Sequence, residues 1–182
     1  MENISISNNQ KILKNFLIVV VGSILLTVSA KIKIPFYPVP MTMQTFVVLF
    51  LGISLGYKMA VSTVFVYLLE GLLGIPVFSN SPEKGVGLVY FTGPTMGYLV
   101  GFLVAVFLTG FFTFNNNFFK NFIKLTFSVS FIYILGLLWL GSIIGWDKPV
   151  FELGAQPFLL AELFKISLLA LIVPKILKLR KI

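Results

Sequence analysis

The sequence predicts an all-α integral membrane protein with six transmembrane helices and both termini in the cytoplasm. Three observations carry that reading. Of 182 residues, 58% are hydrophobic and only 11% charged, whereas soluble domains carry about 25% charged residues. Apolar stretches recur along the chain, bounded by proline, glycine and lysine. The basic residues also divide unequally between the two sides that six crossings define. A soluble core of this size would leave much of that apolar surface in water, but a bilayer would not.

In chain order, residues 1–10 (MENISISNNQ) read as a short polar tail. Residues 12–30 are long enough to cross a hydrocarbon layer of roughly 30 Å. Lys31 and Lys33 follow this stretch where a signal peptide would have its cleavage site, so it reads as a retained span. Pro35, Pro38 and Pro40 exclude a regular helix over the next segment. Residues 45–56 and 59–74 form two shorter apolar stretches, separated by Gly56, Tyr57 and Lys58. Each is short for a crossing, so it is expected to tilt, thin the bilayer or line a cavity. A polar loop covers 75–93, and a fourth span covers 94–113, entered through Gly93 and Pro94. A fifth lies near 121–141. After a loop at 142–156, Pro157 opens the sixth, which is expected to end near Val173. The single membrane domain spans 1–182, with its six-helix bundle at 12–175 and a basic cytoplasmic tail at 176–182.

This topology places Lys11, Lys14, Lys58, Lys120, Lys124, Lys175, Lys178, Arg180 and Lys181 inside, and Lys31, Lys33, Lys84 and Lys148 outside. Nine against four follows the positive-inside rule. The net charge of +8 therefore reads as orientation and as attraction to anionic lipid. It does not indicate nucleic acid, because no soluble basic face carries it.

The chain has no cysteine and no histidine. This removes disulfides, thiolates, the commonest metal ligands and Ser-His triads. No GxxxxGK[ST] stretch occurs, so the chain lacks a P-loop of its own for ATP. No internal repeat of the kind seen in many secondary transporters is evident. Chemistry is left to carboxylate, amine, amide, hydroxyl and backbone groups.

The strongest candidates are Glu162 and Lys165 in AELFK. Three residues apart, they share one helical face, and ionisable groups in a span usually meet a cavity or a partner. They form either a ligand site or a structural ion pair. The segment Ile34-Pro35-Phe36-Tyr37-Pro38-Val39-Pro40 is either an interfacial aromatic belt or the wall of a pocket. It continues into Gln44, which both donates and accepts hydrogen bonds. In the next loop, Phe78, Asn80, Thr95 and Tyr98 accompany glycines that permit close backbone approach. A turn with a helix cap would use the same residues. Glu70 either snorkels or faces the pocket. On the first span, Gly22, Ser23, Thr27 and Ala30 make a small-residue face. It suits close packing within the chain or against another subunit.

The series IPFYPVPMTMQT, GIPVFS, TGPTMGYLVGF and AELFK, in this order over residues 20–175, resembles the BioY family. These proteins are the biotin-binding S components of energy-coupling-factor (ECF) transporters. The resemblance implies six helices and a biotin pocket near the extracellular side. It implies a cytoplasmic-membrane protein with no catalytic residue, metal or cofactor. Its expected partners are a transmembrane coupling subunit and two cytoplasmic ABC-type ATPases. Glu162 and Lys165 match an aspartate and a lysine that line the family's site. Gln44, Tyr37, Phe78, Asn80, Thr95 and Tyr98 are implied as further biotin contacts. Ser23 and Thr27 match the coupling-subunit face, where alanines are typical. The GPTGGYL motif runs here from Gly93 to Leu99, with Met96 in place of a glycine. No arginine precedes Arg180, so Lys165 is expected to take more of the ligand's carboxylate. Biotin suits the residues found: a carboxylate side chain accepts from its ureido N–H groups, an amine meets an oxygen, and aromatics pack on its rings. An S component for another vitamin, a lipid-modifying enzyme and a purely structural subunit are the competing readings. The enzyme lacks an acid–base cluster beyond Glu70, Glu162 and Lys165.

Overall fold

The computed structural model describes residues 8–180, with side chains to Lys178. Its helices are α1 Asn8–Lys31, α2 Gln44–Leu72, α3 Leu88–Phe91, α4 Met96–Phe111, α5 Phe118–Ile144, α6 Val150–Gly154 and α7 Leu159–Arg180. α1, α2, α5 and the stretch Val150–Lys178 are long and apolar enough to cross a membrane, and α4 is a shorter apolar helix.

α2 is broken at Gly56, whose φ of 73° lies where side chains other than hydrogen are strained. The break falls where glycine, tyrosine and lysine interrupt the hydropathy. It leaves two arms, each shorter than an ordinary span.

Other local features depart from the sequence reading. Residues 8–10 of the expected loose tail are already helical, while 1–7 and 181–182 lie outside the described residues. The proline segment folds back as a small antiparallel ribbon. In it Lys33–Ile34 (β1) pairs with Met41–Thr42 (β2), Lys33 opposite Thr42, and prolines occupy the turn between them. The short helices α3 and α6 and a 3-10 turn at Gln156–Phe158 interrupt segments read as loops. The sixth span does not stop near Val173. α7 passes through Pro174 to Arg180, so the described part of the basic tail is helix. A proline in a membrane helix is tolerated where neighbouring groups satisfy the freed carbonyl.

α2 packs on α4, α4 on α5, and α1 along α2. Two apolar clusters result. One joins α2, α4 and the 77–90 segment around Val48, Tyr67, Phe78 and Phe102. The other joins α2, α5 and α7 around Leu49, Ile53, Leu125 and Leu169. Outward residues such as Phe16, Val21, Leu160 and Phe164 are large, apolar and exposed, as lipid contact requires.

Candidate functional site

One cavity opens between the ribbon, the start of α2, the 78–79 segment, α4, α5 and the start of α7. Its void is about 570 Å³ counted to the open mouth. Glu162, Lys165, Gln44, Phe78, Thr95 and Tyr98 all line it. Thr42, Thr45, Ser79, Tyr90, Tyr133 and Phe158 join them, and these were not read from the sequence.

The polar wall centres on Glu162, only 3% exposed, and Lys165, 6% exposed. Their ion pair spans 3.1 Å. The Lys165 ammonium donates to Thr42 O at 2.9 Å, Thr45 Oγ1 at 2.9 Å and Glu162 Oε2 at 3.1 Å. An ammonium has three donors, so all are committed. Glu162 Oε2 also accepts from Thr45 Oγ1 at 3.0 Å and Tyr133 Oη at 3.1 Å. The other carboxylate oxygen, Oε1, is buried and has no hydrogen-bond partner among the described residues. Glu162 thus keeps one buried carboxylate oxygen unpaired among the described residues, beside a cation whose three donors are already placed. Burying such an acceptor unpaired costs about 1–3 kcal/mol or more, and a donating ligand group would remove that cost.

A second polar chain runs along the ribbon side. Thr42 Oγ1 donates to Gln44 Oε1 at 3.2 Å, Gln44 Nε2 to Tyr67 Oη at 2.8 Å, and Tyr67 Oη to Val77 O at 3.2 Å. Gln44 is therefore held by neighbours on both ends of its amide. The apolar wall is aromatic. Phe78 stacks on Tyr90 with centroids 4.6 Å apart and meets Tyr67 edge-on at 5.3 Å. Gly71 allows this: a Cβ there would lie 2.1 Å from the Phe78 ring. Tyr98 donates to Gly154 O at 2.8 Å, and its ring presses on Gly136, where a Cβ would approach to 2.3 Å.

Two sequence candidates lie outside this lining. Tyr37, at the ribbon turn, is 83% exposed, and the Lys84 ammonium stands 5.4 Å from its ring centroid. Asn80 borders a smaller adjoining hollow with Lys84, Tyr90 and Thr95, and its Oδ1 accepts from Lys33 at 3.2 Å. Met96 also stays out of the cavity, on an outer groove beside Trp139.

The small-residue face of α1 lies against α2. Ser23 is only 1% exposed, and its hydroxyl donates to Glu70 Oε2 of α2. Gly22 beside it packs on Thr63. Within this chain the face is occupied by α2, so Ser23 is not free to meet another subunit. Thr27 is half-buried and donates to Ser23 O at 3.1 Å. Glu70 is half-buried, does not line the main cavity, and joins α1 to α2.

Comparison with known proteins follows the same lines. The model of the family described as "BioY family" matches residues 2–182. A protein of Thermotoga maritima named biotin transporter BioY is 35% identical over 156 residues, 85% of this chain and 90% of that one. One of Pyrococcus horikoshii, named probable biotin transporter BioY, is 31% identical over 84% of this chain and 89% of its own length. A crystal structure described as the S-component for biotin from an ECF-type ABC transporter superposes with a TM-score of 0.78. Its sequence is 27% identical, and the match covers 96% of this chain and 95% of that one.

Proposed function

This chain belongs to the BioY family, and from that premise we infer that it takes up biotin as the substrate-binding S subunit of an ECF-type transporter. It is a transport component and not an enzyme. Biotin is its cargo rather than a resident cofactor. The two arms of α2 count as separate crossings in this reading. With α1, α4, α5 and α7 they make six, and both termini then face the cytoplasm of a cell bounded by its inner membrane. ATP hydrolysis belongs to two partner ATPases, joined through a transmembrane coupling subunit, because the chain has no P-loop.

The observation that carries the site assignment is the unpaired Glu162 Oε1 on a cavity-lining residue. A ureido N–H donor is the complement of that oxygen. Lys165 was expected to take the carboxylate of the ligand. Its three donors are already placed, so its role in this reading is to hold Glu162 oriented. The bicyclic body of biotin then packs against the aromatic wall of Phe78, Tyr90 and Tyr98, where aromatic faces and edges favour apolar rings.

The test is Glu162→Gln. The amide keeps the shape, weakens the acceptor and turns one oxygen into a donor. Radiolabelled biotin binding to purified protein is expected to weaken about tenfold to a hundredfold, each factor of ten being about 1.4 kcal/mol. Equal affinity in the parent and the variant would remove Glu162 from the site.

A further inference from the structure

Residues 77–82 bring Phe78 and Ser79 into the cavity wall, yet they form no helix or strand. The ring side of this segment is held by Tyr67, Tyr90 and Phe91. Its backbone side is held from elsewhere in the chain. The Lys31 ammonium donates to Phe78 O and Ser81 O, both at 2.8 Å. The Lys33 ammonium donates to Ser79 O at 2.6 Å and to Asn80 Oδ1 at 3.2 Å. Two cations, one at the end of α1 and one at the start of β1, thus take four consecutive acceptors of the wall segment. The sequence reading counted both lysines only as outer-side charges.

We infer that Lys31 and Lys33 are positioning residues that clamp residues 78–81 over the cavity and so slow the escape of bound ligand. The inference rests on the biotin-uptake reading. An ammonium can serve two carbonyls at once because it carries three donors. Charge-assisted bonds of this kind are stronger than neutral ones. A loop that must open to admit a ligand and close to retain it is drawn from the less stable parts of a fold. Here the apolar core holds the ring side of the segment, and the two ammonium groups hold its backbone side. Neither lysine lines the main cavity, so their effect on binding must pass through the segment they hold.

The experiment compares the parent with Lys31→Met and Lys33→Met combined, and with Lys31→Arg and Lys33→Arg combined. Loaded with radiolabelled biotin and chased with unlabelled biotin, the double methionine variant is expected to release ligand about tenfold faster, as the loss of some four partly exposed hydrogen bonds allows. Association should change far less. Amide hydrogen exchange across 77–82 should quicken in the ligand-free protein, while exchange in the middle of α4 and α5 stays as in the parent. The double arginine variant should restore slow release, since guanidinium also donates to carbonyls. Unchanged release and unchanged exchange at 77–82 would overturn the clamp. So would faster exchange throughout the protein that arginine fails to restore. If the parent itself binds no biotin, the uptake reading fails, and the exchange comparison still decides whether the lysines hold the segment.

Discussion

The two halves of α7 face the same neighbours with opposite chemistry. The first half carries Glu162 and Lys165 into a network with Thr42, Thr45 and Tyr133. The second half presents Leu169, Ala170 and Val173, all buried, to Leu49, Ile53 and Leu125. α2 and α5 supply partners to both. The dry half holds the helices by packing alone, which is what drives association in lipid. The wet half is costly in the same medium, and its internal bonds leave one oxygen unpaired. The difference between the halves separates what builds the bundle from what reads a ligand.

The largest effect is expected in the wet half. Lys165→Met removes the cation and leaves the Glu162 carboxylate buried with two neutral donors. Removing one partner of a buried pair costs about 3–5 kcal/mol, so the melting temperature in detergent should fall steeply, and biotin binding with it. Adding Glu162→Gln to Lys165→Met should recover most of the stability, because no lone charge remains. It should not recover binding. Recovery of both would make the pair a purely structural device and erase the contrast between the halves.

Leu169→Ala probes the dry half, and its effect should be smaller and differently distributed. A cavity in the α2–α5–α7 cluster is expected to cost about 2 kcal/mol, at the low end for leucine truncation. Biotin affinity should stay within about twofold once the variant is folded, since packing here is remote from the polar wall. Thermal melting and equilibrium binding on the same preparation give both readings. A tenfold loss of affinity would mean that the halves are not separable.

What could be read in advance follows the same division. The spans, the break at Gly56 and the shared face of Glu162 and Lys165 are local properties of hydropathy, backbone freedom and i,i+3 spacing. Gln44, Phe78, Thr95 and Tyr98 were reached through loop composition and the family motifs. Thr45 and Tyr133 were not reached. They meet Glu162 across 117 and 29 residues of sequence, and a threonine or tyrosine in an apolar stretch gives no sign of which helix it will face. Ser23 could not be assigned for a related reason, since a small-residue face fits a helix of the same chain as well as one of another. The sixth span was expected to end near Val173, before the basic tail, whereas α7 runs on to Arg180. Lys31 and Lys33 were read as topology signals, and three of their four acceptors are loop carbonyls that no side-chain pattern reveals.

Tyr133→Phe is expected to give the smallest effect and the finest discrimination. Tyr133 gives its hydroxyl proton to Glu162 Oε2 at 3.1 Å, and its ring meets Tyr98 edge-on at 6.3 Å. Phenylalanine keeps the ring and removes only the donor. Glu162 Oε2 retains Thr45 and Lys165, so the fold should lose about 1 kcal/mol, the usual net worth of one hydrogen bond. The melting temperature should drop by a few degrees at most. The orientation of the carboxylate is nevertheless less constrained, and a ligand donor reaching Oε1 must now supply that ordering itself. Biotin affinity should therefore fall by about threefold to tenfold, more than the stability change alone would suggest. A variant with reduced stability and parental affinity would place Tyr133 among the groups that build the bundle. Reduced affinity with near-parental stability would place it among those that prepare Glu162 for its ligand.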